Sequence, residues 1–155
     1  MYLQDWSWAA LPLCIGIGLL PAIALIDFHF GIIPDEHNLL LGLFGILFVW
    51  MNDADLYLAT AVAAALLCLG LFFALVYSKW RGREMLGLGD VKFFAASGFW
   101  LHMHSAPWFL AAGGLVGVVF NVVWQRFGGD KQFPFAPALC ASLAGCIIYQ
   151  LCNVP

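Results

Sequence analysis

The run DLYLATAVAAALLCLGLFFALVY, residues 55–77, decides the fold. Its one charge stands at its first position, and it exceeds the ~20 residues a helix needs to cross the hydrocarbon core of a bilayer. Backbone in lipid must satisfy its own N–H and C=O groups, which for a single unbroken run means an α-helix. Outward from this run lie five more apolar stretches, at ~8–26, ~38–51, ~90–103, ~107–124 and ~135–152. Six spans take ~120 of the 155 residues and leave ~35 for every loop and both ends. Hydrophobic residues make up 64% of the chain and charged residues 10%, against about 25% charged in soluble domains. Fifteen charges cannot coat a water-facing surface. The expected fold is an all-α, polytopic transmembrane helix bundle of about six spans, with residues 1–155 forming one integral-membrane domain. The runs at ~38–51 and ~90–103 are short and need flanking residues, bilayer thinning or shelter by neighbours to cross.

The charges orient the bundle. Lys79, Arg81, Arg83, Arg126 and Lys131 fall in the third and fifth connections, and Lys92 lies just past the third. With six spans, the first, third and fifth connections share a side, and the excess of Lys and Arg marks it as cytoplasmic. Both termini are then expected outside, in the periplasm, with Asp5, Asp53 and Asp55. The N-terminus lacks the basic start of a cleavable signal peptide, so the first run is expected to stay as a span. Trp6, Trp8, Trp50, Trp80, Trp100, Trp108 and Trp124 lie largely near span ends, as an aromatic belt would. Cys14, Cys68, Cys140, Cys146 and Cys152 form no C-x-x-C pair and are read as small apolar residues. A net charge of −3 without a basic stripe argues against a nucleic-acid partner.

Two acids sit where acids are expensive. Asp27 closes AIALID (residues 22–27), and Asp90 opens DVKFFAA (residues 90–96). An ionised Asp at the bilayer centre costs ~2.5–3.5 kcal/mol, less toward the interface. Intramembrane acids are therefore functional candidates; the competing reading is that both sit at headgroup depth and end helices. Asp27 ends the first span and Asp90 starts the fourth, on one side and at one depth. Two carboxyls at one depth can converge on a single water, and close carboxylates share one proton. The ionised member can then deprotonate water while the protonated member polarises a carbonyl, which is aspartyl-protease chemistry and needs no metal or other cofactor. LGLGD (residues 86–90) places two glycines before the second acid. Glycine admits close backbone approach and permits φ > 0. The competing reading is a loop-to-helix turn with Asp90 as N-cap.

These residues resemble the type IV prepilin peptidase family, membrane aspartyl proteases of the GxGD type. DFHFGIIPD (27–35) is similar to the family's first-aspartate motif, GLGDVK (87–92) to its Gly-x-Gly-Asp-x-Lys, and PFAP (134–137) to the Pro-Phe-x-Pro before its last span. The three cover nearly the whole chain in the family's order. The resemblance implies that Asp27 and Asp90 are the catalytic pair. It implies a prepilin or pseudopilin substrate, with a short basic leader and an N-terminal hydrophobic helix, cut on the cytoplasmic side. Larger bacterial members carry an additional N-terminal region with paired C-x-x-C motifs and N-methylate the new terminus with S-adenosylmethionine. This sequence shows neither, so the expectation is a minimal peptidase-only member without a zinc or methyltransferase region.

Other residues receive expectations from position. Asp35 and Glu36 follow a proline turn beside Asp27 and are candidates to attract a basic leader, the alternative being two solvated loop acids. Gly87 and Gly89 are candidates to admit an extended substrate. Pro134 and Pro137 are expected to shape the entry of the last span next to the substrate. Lys92 is expected to snorkel toward headgroups. His102 and His104 form His-x-His without a nearby third ligand, and His29 and His37 flank the first motif as interfacial residues. Asn121 is expected to bond a neighbouring helix. Gly113, Gly114 and Gly117 read as helix-packing positions. Two competing classes use the same acids differently or not at all: a proton- or cation-coupled transporter, and a non-catalytic membrane subunit of a secretion machine.

Overall fold

The computed structural model describes residues 6–81, 86–126 and 133–153. Six helices follow one another: α1 (Trp6–Phe30), α2 (Asp35–Met51), α3 (Leu56–Arg81), α4 (Leu88–Gly98), α5 (Ala106–Arg126) and α6 (Ala136–Cys152). Every apolar run contains a helix, though that of the run at ~90–103 ends at Gly98 and residues 99–103 are not helical, and the described residues contain no strand. The protein is an all-helical membrane bundle. Windows within α1, α3 and α5 are long and apolar enough to cross a bilayer.

Local chemistry sets the helix ends. The single charge of the 55–77 run is the N-cap of α3: Asp55 Oδ1 accepts the N–H groups of Tyr57 (2.9 Å) and Leu58 (3.2 Å). α1 stops at Gly31, whose φ of +68° favours a residue without Cβ and whose N–H returns to the Asp27 carbonyl at 2.7 Å. Pro34 then caps α2, and Asp35 and Glu36 occupy its first turn, at the positive end of the helix dipole.

The principal packing pairs are α1 with α2 and α6, α4 with α2 and α3, and α5 with α6, with a smaller contact between α2 and α3. Successive helices alternate in direction. The ends of α1, α3 and α5 and the starts of α2, α4 and α6 therefore share one end of the bundle. Lys79, Lys92 and Arg126 lie at that end and Asp53 and Asp55 at the other; Asp5, Arg83 and Lys131 fall outside the described residues.

Small residues allow these contacts. A Cβ on Gly98 would strike the Ala63 backbone of α3, with its nitrogen 2.6 Å away. Gly113 packs on Leu139 and Ser142, and Gly117 on the Phe135 ring, whereas Gly114 faces open space and is not a packing position. Asn121 also departs from expectation. Its Oδ1 accepts from Gln125 Nε2 (3.2 Å) on its own helix, because one turn away is nearer than the next helix.

The two short runs differ in length and in burial. α2, at about 26 Å, nearly matches a ~30 Å core, but α4 reaches only about 17 Å. α4 is sheltered: Val91, Phe93, Phe94, Ala96, Ser97 and Gly98 are buried. Trp100, just beyond its end, is no belt residue. It is 5% exposed, stacks on Phe48 and donates its indole N–H to the Leu41 carbonyl at 3.0 Å. Trp8, Trp50 and Trp108 are exposed, as a belt requires. Around the far end of α4 lies a cavity of about 320 Å³ lined by Phe48, Leu58, Trp100, Ile147 and Gln150 among others, at the end of the bundle away from Asp27 and Asp90.

The α3–α4 crossing gives a stability test. Gly98→Ala is expected to lower the unfolding midpoint in detergent, at a cost of about 1–3 kcal/mol, because backbone must move. Gly114→Ala is expected to be neutral or stabilising by up to about 1 kcal/mol. Thermal unfolding followed by circular dichroism checks both.

Candidate active site

Asp27 lies in the last turn of α1 and is 6% exposed. Its Oδ2 accepts the backbone N–H of Ala136 at 2.9 Å. Ala136 is the first residue of α6, so this carboxylate meets both an unpaired helical donor and the positive end of the helix dipole. PFAP explains why that donor is in place. Pro134 is buried and fixes the approach of the chain. Pro137, half-buried at the second helical position, brings no N–H of its own, so Ala136 supplies the donor between two prolines. Sequence reading singled out the prolines and missed Ala136; the signal was the residue type that the motif leaves free.

Asp90 stands at the third position of α4, not at its N-cap. The N-cap is Gly87, whose N–H donates to Asp90 Oδ2 at 3.2 Å, while Asp90 N–H returns to the Gly87 carbonyl at 3.1 Å. This is half of a capping box, since glycine has no side chain to complete it. Both acids are thus held at helix N-termini, Asp27 from outside α6 and Asp90 from within α4. They are close enough for Asp27 to act on Asp90 through space, and the buried thiol of Cys140, one turn into α6, lies within electrostatic range of both.

The two glycines differ in use. Gly87 has an ordinary φ of −67°, is exposed, and would place a Cβ 3.4 Å from Asp90 Oδ2. Gly89 is half-buried, and a Cβ there would lie 3.1 Å from Ile33 Cβ and 3.4 Å from the Ile33 carbonyl oxygen. Neither glycine adopts positive φ. What the motif needs at Gly89 is room for the turn that carries the first acid into α2.

The remaining candidates gather at the same end. Asp35 Oδ1 and Lys92 Nζ pair at 2.6 Å, linking the start of α2 to α4. Lys92 reaches Asp35 across to α2, the reach being set by the parallel packing of α2 on α4. The side chains are 72% and 50% exposed, so the pair contributes only about 0–1 kcal/mol. Glu36 is exposed and makes no ion pair among the described residues. Asn38, unremarked in the sequence, is buried, and its Nδ2 donates to the Gly89 carbonyl at 3.0 Å. His29 bonds its own helix at the Leu25 carbonyl, and His37 is half-buried with an unpartnered Nδ1. His102 and His104 are exposed at the far end. Among the described residues no three His, Cys, Asp or Glu side chains gather as a metal site.

Burial of two neighbouring acids in one apolar setting opposes folding, first because the ionised form is desolvated and then because each disfavours ionisation of the other. Asp27→Asn keeps an oxygen for the Ala136 N–H and removes a charge, and Asp90→Asn does the same toward Gly87. Each is expected to raise the unfolding midpoint by an amount on the order of 1 kcal/mol. The double variant should gain less than the sum, since one repulsion is removed once. Thermal unfolding of the four proteins closes the cycle.

Comparison with known proteins gives a consistent set of likenesses. The model of the type IV leader peptidase family matches residues 14–122, a span that includes both acids. The chain is 32% identical over 146 residues to a prepilin leader peptidase/N-methyltransferase of Neisseria gonorrhoeae, covering 93% of this chain and 50% of that protein. It is 36% identical over 137 residues to the protein of the same description from Dickeya chrysanthemi, covering 84% and 47%. It is 29% identical over 144 residues to a type 4 prepilin-like proteins leader peptide-processing enzyme of Escherichia coli O78:H11, covering 90% and 51%. The chain spans about half the length of the curated relatives it matches. No solved structure matches it.

Proposed function

The chain belongs to the type IV leader peptidase family, and from that premise we propose that it is an aspartic endopeptidase. It removes the short basic leader of a type IV prepilin or pseudopilin at the cytoplasmic face of the inner membrane. The observation that carries this reading is that Asp27 and Asp90, from helices far apart in sequence, lie within electrostatic range of one another at the bundle end that also bears Lys79, Lys92 and Arg126. An excess of basic residues faces the cytoplasm, and the basic leader of such a substrate lies on that side.

The chemistry follows from how the acids are held. Ala136 N–H and Gly87 N–H each engage Oδ2 of one acid. Oδ1 of each is left for the reaction. One carboxylate takes a proton from water as the water oxygen attacks the scissile carbonyl, and the other, protonated, donates to the carbonyl oxygen. The tetrahedral intermediate then collapses: the C–N bond breaks, the proton taken from water passes to the leaving amine, and the proton given to the carbonyl oxygen returns to the acid that donated it, which leaves a carboxylic acid product and restores the pair. Gly87 and Leu88 offer exposed backbone beside Asp90 for an extended substrate segment. Gly89, Pro134 and Pro137 serve the substrate site by setting the helix starts on which it is built. Asp35 and Glu36 attract the basic leader; a leader cation competes with Lys92 for Asp35, and Glu36 adds a second charge.

The test uses a purified prepilin-like substrate with its hydrophobic helix, in detergent or liposomes. Asp27→Asn and Asp90→Asn are each expected to cut at least about a hundredfold more slowly, with the protein still folded. Wild-type cutting by both would sink the assignment. Glu36→Gln is expected to raise KM for a basic leader a few-fold with kcat unchanged, and to leave KM unchanged for a leader whose basic residues are replaced by glutamine.

A further inference from the structure

We propose that Asn38 is a positioning residue for Asp90, fixing its carboxylate relative to Asp27; this rests on the peptidase reading above. The acid-bearing helices α1 and α4 do not form a principal packing pair. α2 packs on both, and Asn38 sits near its start. Its Nδ2 donates to the carbonyl of Gly89, the residue immediately before Asp90. A short mechanical path therefore runs from Asp27, through the turn at Gly31–Pro34, into α2, across this hydrogen bond and onto the backbone that carries the second acid.

The same side chain is a poor choice for stability. Asn38 is 5% exposed, and its Oδ1 is buried without a partner. Reversing the amide would set that oxygen against the Gly89 carbonyl, acceptor on acceptor, so the donor must face Gly89. Gly89 lies within α4, where its carbonyl also belongs to the ordinary i→i+4 ladder, so it is not orphaned when Asn38 is removed. A leucine of similar size would delete one unsatisfied buried atom and leave none behind. What is lost is a single bond whose direction sets the backbone before Asp90. That is the pattern of a side chain kept for geometry at the expense of stability.

The experiment compares wild type, Asn38→Leu, Asn38→Ala and Asp90→Asn in the cleavage assay and in thermal unfolding. Asn38→Leu is expected to unfold at or above the wild-type midpoint, with kcat reduced about ten- to a hundredfold and KM unchanged. The proposal is overturned if folded Asn38→Leu keeps wild-type kcat, or if its loss of kcat is matched by a loss of folded protein. Should Asn38→Leu fail to insert, Asn38→Ala deletes the same donor without adding bulk and is read by the same criteria. Failure of both to fold would make the residue structural and also overturns the proposal. Asp90→Asn separates the two levels. If it cuts at the wild-type rate, the peptidase reading falls; if it is inactive while Asn38→Leu is normal, only the role of Asn38 falls.

Discussion

A carboxylate at the end of an apolar helix is tolerable only where something of opposite polarity meets it. Here that partner is the start of another helix. Asp27 receives the first N–H of α6, and Asp90 receives the N–H that opens α4. Helix starts carry unpaired donors and a partial positive charge without carrying a cation. They therefore hold an acid in place without the tight ion pair that would occupy it. The one ion pair found among the described residues, Asp35 with Lys92, lies outside this arrangement and is largely exposed.

Bringing those helix starts together demands close packing. In lipid, tails are as apolar as side chains, so helices associate through fit. Gly98 against the Ala63 backbone and Gly117 against the Phe135 ring are such fits. Phe135 caps α6 immediately before Ala136, so the α5–α6 contact bears on the donor that holds Asp27. Gly89 against Ile33 and Asn38 against Gly89 do the same for Asp90. The shortness of α4 fits this picture. It is a buried strut that presents an acid at one end and gives way at the other to Trp100 and a cavity.

Family membership and geometry bear on the same residues from different directions. The family match includes both acids, whereas the third motif, PFAP, lies beyond it. The structure nonetheless ties that motif to the first through the bond from Ala136 to Asp27.

The sequence alone determined the helices and their alternation, because a bilayer permits a long apolar run few other conformations and because charge asymmetry between loops is a sum over residues. It also marked Asp27 and Asp90, since acids bordering apolar runs stand out by type. It could not show Ala136 or Asn38: one acts through a backbone N–H that every residue but proline has, and the other by a contact 51 residues away. It misjudged Trp100, Gly114 and Asn121 for a related reason, since which neighbour a side chain meets depends on helix rotation and crossing. Residue type and order fix what must be buried or charged. Only packing in three dimensions decides which groups then face one another.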